Sequence, residues 1–405
     1  MAKLPRVCIL TETYHPVIGG GETQARLFAR SLAEAGISVI ILTRRTDKSL
    51  KKHEHYGSIN VIRLPPVGSE HYKKWGLLIT SFIALIKMAS HYDLVFVSGF
   101  RVVGIAAVLA SKLLRKVCIL KADSLGEMSG DFFADGLIKL RIYPTLFLFR
   151  IFLSLRNKLL QQADAFVAIS SAVQAELQFQ GVRPGKIHSI SNSVDIKKFH
   201  PVTKEVKVRL RRKLDLPEDD KIFIYTGRLV SYKGLPLLLE VWYEIHQRHK
   251  NVILLLVGSG GLDIHNCEQE LRGFVKAKGL QDSVRFTGDV ESVHEYLQAS
   301  DVFVFPTERE AFGISVVEAM ACKLPIIATD IGGLKDILIH KRNGLVVRSG
   351  DFQALYSSMA QLIDNDPLSV TLGNSAWQTV SERYSTTKMM HDYIRLFKRS
   401  TYYFG

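Results

Sequence analysis

The stretch FPTEREAFGISVVEAMACKLPIIATDIGG, residues 305–333, sets two carboxylates, Glu310 and Glu318, eight positions apart. The spacing alone means little; the surroundings carry the signal. Phe312-Gly313 breaks the chain between the acids, and Ser315 is a helix-capping type, which predicts a helix with Glu318 in its first turn. Glu310 then lies in the preceding loop, beside free N–H groups of residues 312–315. A carboxylate accepts paired hydrogen bonds from vicinal hydroxyls, while N–H groups at a helix start favour phosphate. Such a patch can hold a ribose, a diphosphate and a sugar together. The plainer role for Glu318 is to offset the dipole of its own helix.

Three further loops have phosphate-binding character. In YTGRLVSYKG, Arg228 and Lys233 follow the strand-like run Lys221–Thr226. Arg offers a planar fork and Lys a point charge, which together suit a diphosphate. VGSGG at 257–261 follows another strand-like run, and its Gly258 either cradles a phosphate or turns the chain. PVIGGGE at 16–22 puts Gly20 and Gly21 before a helix, without the GxGxxG spacing of dinucleotide binders.

These loops need rigid supports, and the patterning supplies them. Apolar runs at Arg6–Thr11, Ser38–Thr43, Leu94–Val97, Val117–Leu120 and Ala165–Ile169 alternate with amphipathic stretches such as Thr23–Ala35. The alternation restarts at Lys221–Thr226, Val252–Val257, Val284–Phe286, Val302–Phe305 and Pro325–Ala328. Unbroken apolar strands between helices predict two parallel sheets, each covered on both faces, with ligands beyond the C-terminal strand ends. A length of 405 residues agrees with two domains. The polar stretch Ser191–Pro201 is the expected boundary, giving domains 1–195, with 385–405 returning to the first, and 196–384.

Composition excludes several classes. With 47% hydrophobic and 23% charged residues, this is neither a disordered nor a fibrous chain. The four cysteines are far apart, which excludes a disulfide scaffold and a cysteine zinc site. The start MAKLPRVCILTET carries no secretory pattern, and no apolar run is long enough to span a bilayer. The expected location is cytoplasmic, with a peripheral place at the inner face of the membrane. Residues 1–200 carry 27 basic and 14 acidic side chains, against 26 and 25 in the remainder. The +13 excess of the first half suits an anionic membrane surface, an anionic acceptor or nucleic acid, or serves solubility alone. It lacks any nucleic-acid recognition motif, so no nucleic-acid partner is expected. Gly136–Leu160 interleaves Arg and Lys with Phe and Leu, the pattern of a helix lying in a membrane interface or packed on its own sheet.

Taken together, PVIGGGE, ADAFVAISSAV (163–173), SNSVD, GRLVSYKG, VRFTGDV (284–290), the two-glutamate stretch and NGLVV (343–347) resemble the retaining glycosyltransferases of family 4. The resemblance covers nearly the whole chain. It implies the GT-B fold, two facing Rossmann-like domains with a deep interdomain cleft, and transfer of a sugar from a nucleotide diphosphate donor, UDP-sugar favoured. The acceptor would be a glycan, a lipid-linked or a small molecule. By that resemblance Arg228 and Lys233 bind the donor diphosphate, Glu318 the ribose, and Glu310 with Phe312, Gly313 and Ile314 the sugar. Gly20 and Gly21 lie under the phosphates, the base rests near Gly288-Asp289, and Gly258 and Ser315 complete the donor set. The final helix, near Ser385–Lys398, crosses back onto the first domain.

The sequence departs from relatives after two successive strands: the His usual after the first is missing, since Leu94–Gly99 reads LVFVSG. Relatives usually also carry a His after the strand Val117–Leu120, where this chain reads LKADSLGE. Lys121 or Asp123 is the substitute, unless the leaving diphosphate does all the chemistry. No acidic DxD pair accompanies the phosphate loops and the histidines are scattered, so no metal and no cofactor are expected. The competing functions are a GT-B nucleotide-sugar epimerase and a non-catalytic nucleotide-sugar binder.

Overall fold

The computed structural model describes residues 4–402, apart from 18, 69–72, 132–146 and 262. The chain divides into two α/β units, Met1–Asn192 with Thr387–Gly405, and Ser193–Thr386.

The first unit carries β1 (Val7–Thr11), β2 (Val39–Arg44), β3 (His53–Tyr56), β4 (Ile59–Leu64), β5 (Leu94–Ser98), β6 (Val117–Lys121), β7 (Ala165–Ala168) and β8 (Ile187–Ser189). They form one sheet in the order β3-β4-β2-β1-β5-β6-β7-β8. Every pairing is parallel except β3 on β4. β1, β2, β5, β6 and β7 are buried at every position, as expected of strands covered on both faces. β3, HEHY, is mostly exposed and lies at the edge, where one neighbour suffices.

Helix Gly20–Glu34 packs Ala25, Phe28 and Leu32 into this unit's core, and helix Thr386–Tyr402 adds Met389, Tyr393 and Phe397. Phe28 and Tyr393 have ring centroids 4.4 Å apart, and Phe96 joins them from β5. Residues 136–146 of the basic-aromatic segment lie outside the described residues; Phe147–Leu160 is a helix packed on helix Val103–Leu114.

The second unit carries β9 (Lys221–Thr226), β10 (Val252–Val257), β11 (Val284–Gly288), β12 (Val302–Phe305), β13 (Ile326–Thr329) and β14 (Leu345–Val347). Its sheet is wholly parallel, in the order β11-β10-β9-β12-β13-β14. Such an order reverses direction between β9 and β12, and ligands of open parallel sheets bind at that reversal. Among the described residues no helix is long and apolar enough to cross a membrane. All four cysteines are buried and unpaired with one another.

Candidate active site

β9 and β12 are neighbours, so the loops that follow them leave the sheet side by side. The first loop makes a single turn, Ser231–Lys233, and ends on Gly234. This brings Lys233 Nζ to 2.7 Å from Glu310 Oε2, and 5.1 Å from the centre of the Phe305 ring. Glu310 Oε1 accepts the Phe312 N–H at 3.2 Å. The pair is largely buried, and Phe312 is held beneath it against Tyr384. Of the N–H groups expected to be free beside Glu310, that of Phe312 is therefore taken by Glu310 itself.

The helix that follows is Ile314–Ala321. Its cap is Gly313, at φ 106°, and no side chain caps it. Ser315 thus does not cap, because the glycine turns the chain into the helix two residues sooner. Glu318 consequently falls in the second turn, outside the reach of the helix-start dipole. Its carboxyl has no hydrogen bond or ion pair among the described residues, and burial pushes it up to about 7 against the pull of Lys198. Gly313, Ile314 and Ser315 present N–H groups that, like those of any first turn, find no acceptor inside the helix.

Arg228 projects from the β9 loop and is mostly exposed. It pairs with Asp263 and donates to the Tyr232 hydroxyl at 2.8 Å, while its carbonyl accepts from the buried Tyr225 hydroxyl. Asp263 carries no pattern that marks it in the sequence. At the ends of β9, β10 and β11 the backbones of Gly227, Gly258 and Gly288 interlock: Gly258 N–H donates to the Gly288 carbonyl at 3.0 Å. A Cβ on Gly258 would stand 2.1 Å from the Gly227 oxygen. Close strand-end packing thus explains this glycine. Asp289 accepts from Ser259 at 2.8 Å beside it.

In the first unit, Gly20 and Gly21 belong to the first turn of helix Gly20–Glu34, which starts earlier than its apolar face suggests because Gly19 is the cap. The space where a Cβ of Gly21 would lie is 3.8 Å from Asp123 Oδ2. That oxygen accepts from Ser98 Oγ at 2.6 Å, and Oδ1 pairs with the buried Lys121. Register places Ser98 and Lys121 opposite each other at the ends of β5 and β6. Lys121 and Asp123, two alternatives in the sequence, are one ion pair.

A residue missed by motif matching holds this pair. Glu127 is buried and accepts from the N–H groups of Phe100 at 2.8 Å, Asp123 at 3.0 Å and Ser124 at 3.2 Å. It ties the loop after β5 to the loop after β6. Glu176 does the same for the next turn, accepting from Gly126, Met128 and Ser129. Ser124-x-x-Glu127 has the spacing of a capping box, which is the signal available in the sequence.

Comparison with known proteins places both halves. The Glycosyltransferase Family 4 model matches residues 18–198, and the model for glycosyl transferases group 1 matches residues 206–379. The chain belongs to the family 4 type of glycosyltransferases. This glycosyltransferase is 23% identical over 390 residues to the N-acetyl-alpha-D-glucosaminyl L-malate synthase of Bacillus anthracis, covering 95% of each chain. Its fold matches that of a sucrose-phosphate synthase from Thermosynechococcus elongatus with a TM-score of 0.80, at 24% identity over 97% of this chain and 98% of the other. Anabaena HepE, solved with UDP-glucose, matches with a TM-score of 0.77 at 20% identity, over 97% and 99%. The fold is GT-B, as the motifs imply.

Within the second unit, the glycosyltransferase thus gathers Lys233, Glu310 and the first turn of helix Ile314–Ala321 on adjacent loops. The chemistry of that group is anion and hydroxyl recognition: one cation, one carboxylate, and N–H donors. Among the described residues no cluster of three or more His, Cys, Asp or Glu is spaced to hold a metal ion.

Proposed function

We propose that this glycosyltransferase transfers a sugar, with retention of configuration, from a nucleotide diphosphate bound by its second unit to an acceptor bound by its first. The observation that carries this is the Lys233–Glu310 pair beside the open N–H groups of helix Ile314–Ala321. A diphosphate set against Lys233, Arg228 and those N–H groups has its charge compensated as it leaves, without a metal ion. Glu310, with the backbone of Gly313 and Ile314 and with Phe312 tied to its carboxylate, orients the sugar; Glu318 receives the ribose hydroxyls; the base lies near Gly288 and Asp289. In the first unit, Gly20 and Gly21 are the residues assigned to the donor phosphates. A uridine donor is favoured, in keeping with the UDP-glucose held by HepE.

The first unit offers Lys121 and Asp123 to the reacting sugar. The pair is self-neutralising, so neither is poised as a nucleophile, and retention then follows from attack on the same face as departure. The bond from the anomeric carbon to the phosphate oxygen breaks, the bond to the acceptor oxygen forms, and the acceptor proton passes to the leaving phosphate. The acceptor class comprises glycans, lipid-linked sugars and small hydroxylated molecules.

Thermal shift against nucleoside diphosphates and nucleotide sugars tests the donor: a true ligand at 100 times its dissociation constant stabilises by about 2.7 kcal/mol. NMR of the product linkage tests retention. An inverted anomeric centre, or stabilisation by no nucleoside diphosphate, refutes the proposal.

A further inference from the structure

Three helices of the first unit leave apolar side chains in solvent at helical spacing. Lys73–Lys87 exposes Trp75, Ile79 and Ile83, with Lys87 one turn further along the same stripe. Phe147–Leu160 exposes Phe147, Ile151 and Leu155, and Val103–Leu114 exposes Leu109 and Leu113. The exposures are large for such residues: 61% at Ile79, 69% at Leu113, 75% at Phe147 and 63% at Leu155. Val103–Leu114 packs against both other helices, and Trp75 lies 6.1 Å from Phe152, so the stripes lie on adjoining helices. A run of exposed apolar side chains on neighbouring elements exceeds the scatter normal for a soluble surface.

Charge narrows the occupant. None of the three helices contains an Asp or a Glu, and among the described residues their exposed cations are Lys87, Lys112, Arg150 and Lys158. A second copy docking through the same face would press these cations together with no acid to offset them. A duplex or single-stranded nucleic acid would meet the charge but leave the isoleucines and leucines uncovered. An anionic lipid surface satisfies both, taking the apolar side chains below its headgroups and the cations among them.

We infer that the face formed by helices Lys73–Lys87, Val103–Leu114 and Phe147–Leu160 docks the protein reversibly on an anionic membrane. This goes beyond the donor chemistry and stands or falls independently of it.

The test is sedimentation of the full chain with vesicles of phosphatidylglycerol and phosphatidylcholine, and with pure phosphatidylcholine. Binding is expected to the anionic vesicles at about 0.01 M salt, where the Debye length is about 30 Å, and release at about 1 M, where it is about 3 Å. Ile79→Glu with Leu113→Glu and Leu155→Glu should weaken partitioning by about tenfold or more. These side chains are exposed, so Tm and nucleotide binding should stay at parental values. Should the triple variant fail to fold, Trp75 emission in a Trp377→Phe background reports directly: Trp242 is fully buried, and Trp75 should shift blue on anionic vesicles only. The inference is overturned by equal binding to both vesicle types, by no binding to either, or by a triple variant that binds like the parent. It is also overturned if the parent is a dimer that the triple variant converts to a monomer.

Discussion

Lys233 Nζ stands 2.7 Å from Glu310 Oε2, so two residues proposed for separate parts of the donor, the diphosphate and the sugar, are bound to each other. They sit on the loops after β9 and β12, and each carries the partner that offsets the other's charge. Each substitution therefore disturbs both functions. Lys233→Ala and Glu310→Ala should each slow turnover strongly, yet the double variant should lose less than the product of the two. Contacting residues typically couple by about 0.5–3 kcal/mol. A double-mutant cycle on initial rates measures this, and strict additivity would show that the pair is incidental to catalysis.

Arg228→Ala should act on rate rather than on donor affinity. The interaction strengthens as charge grows on the departing phosphate, and loss of such a group typically costs about a hundred- to a thousandfold. Calorimetry with the nucleoside diphosphate, beside initial rates with the sugar donor, separates the two effects. Parental rates would remove Arg228 from the mechanism.

Glu318 gives a prediction in pH. Its carboxyl is pushed up to about 7 by burial, well above the ordinary value for Glu of about 4.3. Ribose hydroxyls donate to the ionised form, so nucleotide binding should pull the group down and release a proton near neutrality. The measured binding enthalpy should then vary with the ionisation heat of the buffer, and affinity should fall as the solution is acidified below about pH 7. Glu318→Gln should abolish the buffer dependence. Because the folded value is raised, the group's contribution to stability is present below the unfolded value and lost as pH rises through about 7; Glu318→Gln should gain on the parent above that pH. Buffer-independent heats in the parent would sink the ribose assignment.

Glu127 is a positioning residue, bonded to the loops after β5 and β6. Its carboxylate takes three backbone N–H groups, and Glu127→Ala leaves the buried one, of Phe100, without that acceptor, which typically costs about 1–3 kcal/mol. Turnover should fall because Asp123 and Lys121 lose their frame, with affinity for the nucleoside diphosphate unchanged. Glu127→Gln keeps one acceptor oxygen and should recover part of the rate. Loss of nucleotide affinity in step with rate would instead mean general unfolding.

Gly258→Ala tests the interlocked strand ends. The backbone there has φ 128°, and the added Cβ would meet the Gly227 oxygen at 2.1 Å. A residue held in such a region typically costs about 1–3 kcal/mol. Tm should drop accordingly, and an unchanged Tm would show that the strand ends relax freely.

Much of the scaffold is legible in the amino-acid order. β9, β10 and β12 match their apolar runs residue for residue, because strands buried on both faces need unbroken aliphatic sequence. β3 with β4 escapes notice, since HEHY is polar and faces solvent at an edge. β8 and β14 are three residues each, too short for a pattern. In the site, residue types and loops are legible and partnerships are not. Lys233 with Glu310 and Arg228 with Asp263 depend on which strands lie adjacent, which local periodicity does not encode. Lys121 and Asp123 look like alternatives in sequence, and only the register against Ser98 shows them to be one unit. The cap of helix Ile314–Ala321 is misplaced in sequence because a glycine at positive φ outcompetes a serine two residues on.

Helix Thr386–Tyr402 completes the core of a unit whose other residues end at Asn192. Seen along the polypeptide, the second unit is an insertion within the first. On the ribosome, the first sheet emerges with Phe28 and Phe96 uncovered, and it waits through the synthesis of an entire α/β unit before Tyr393 and Phe397 arrive to close it. The second unit, contiguous in sequence, has no such wait. The half made first is thus the half completed last, since its core lacks Tyr393 and Phe397 until helix Thr386–Tyr402 is made.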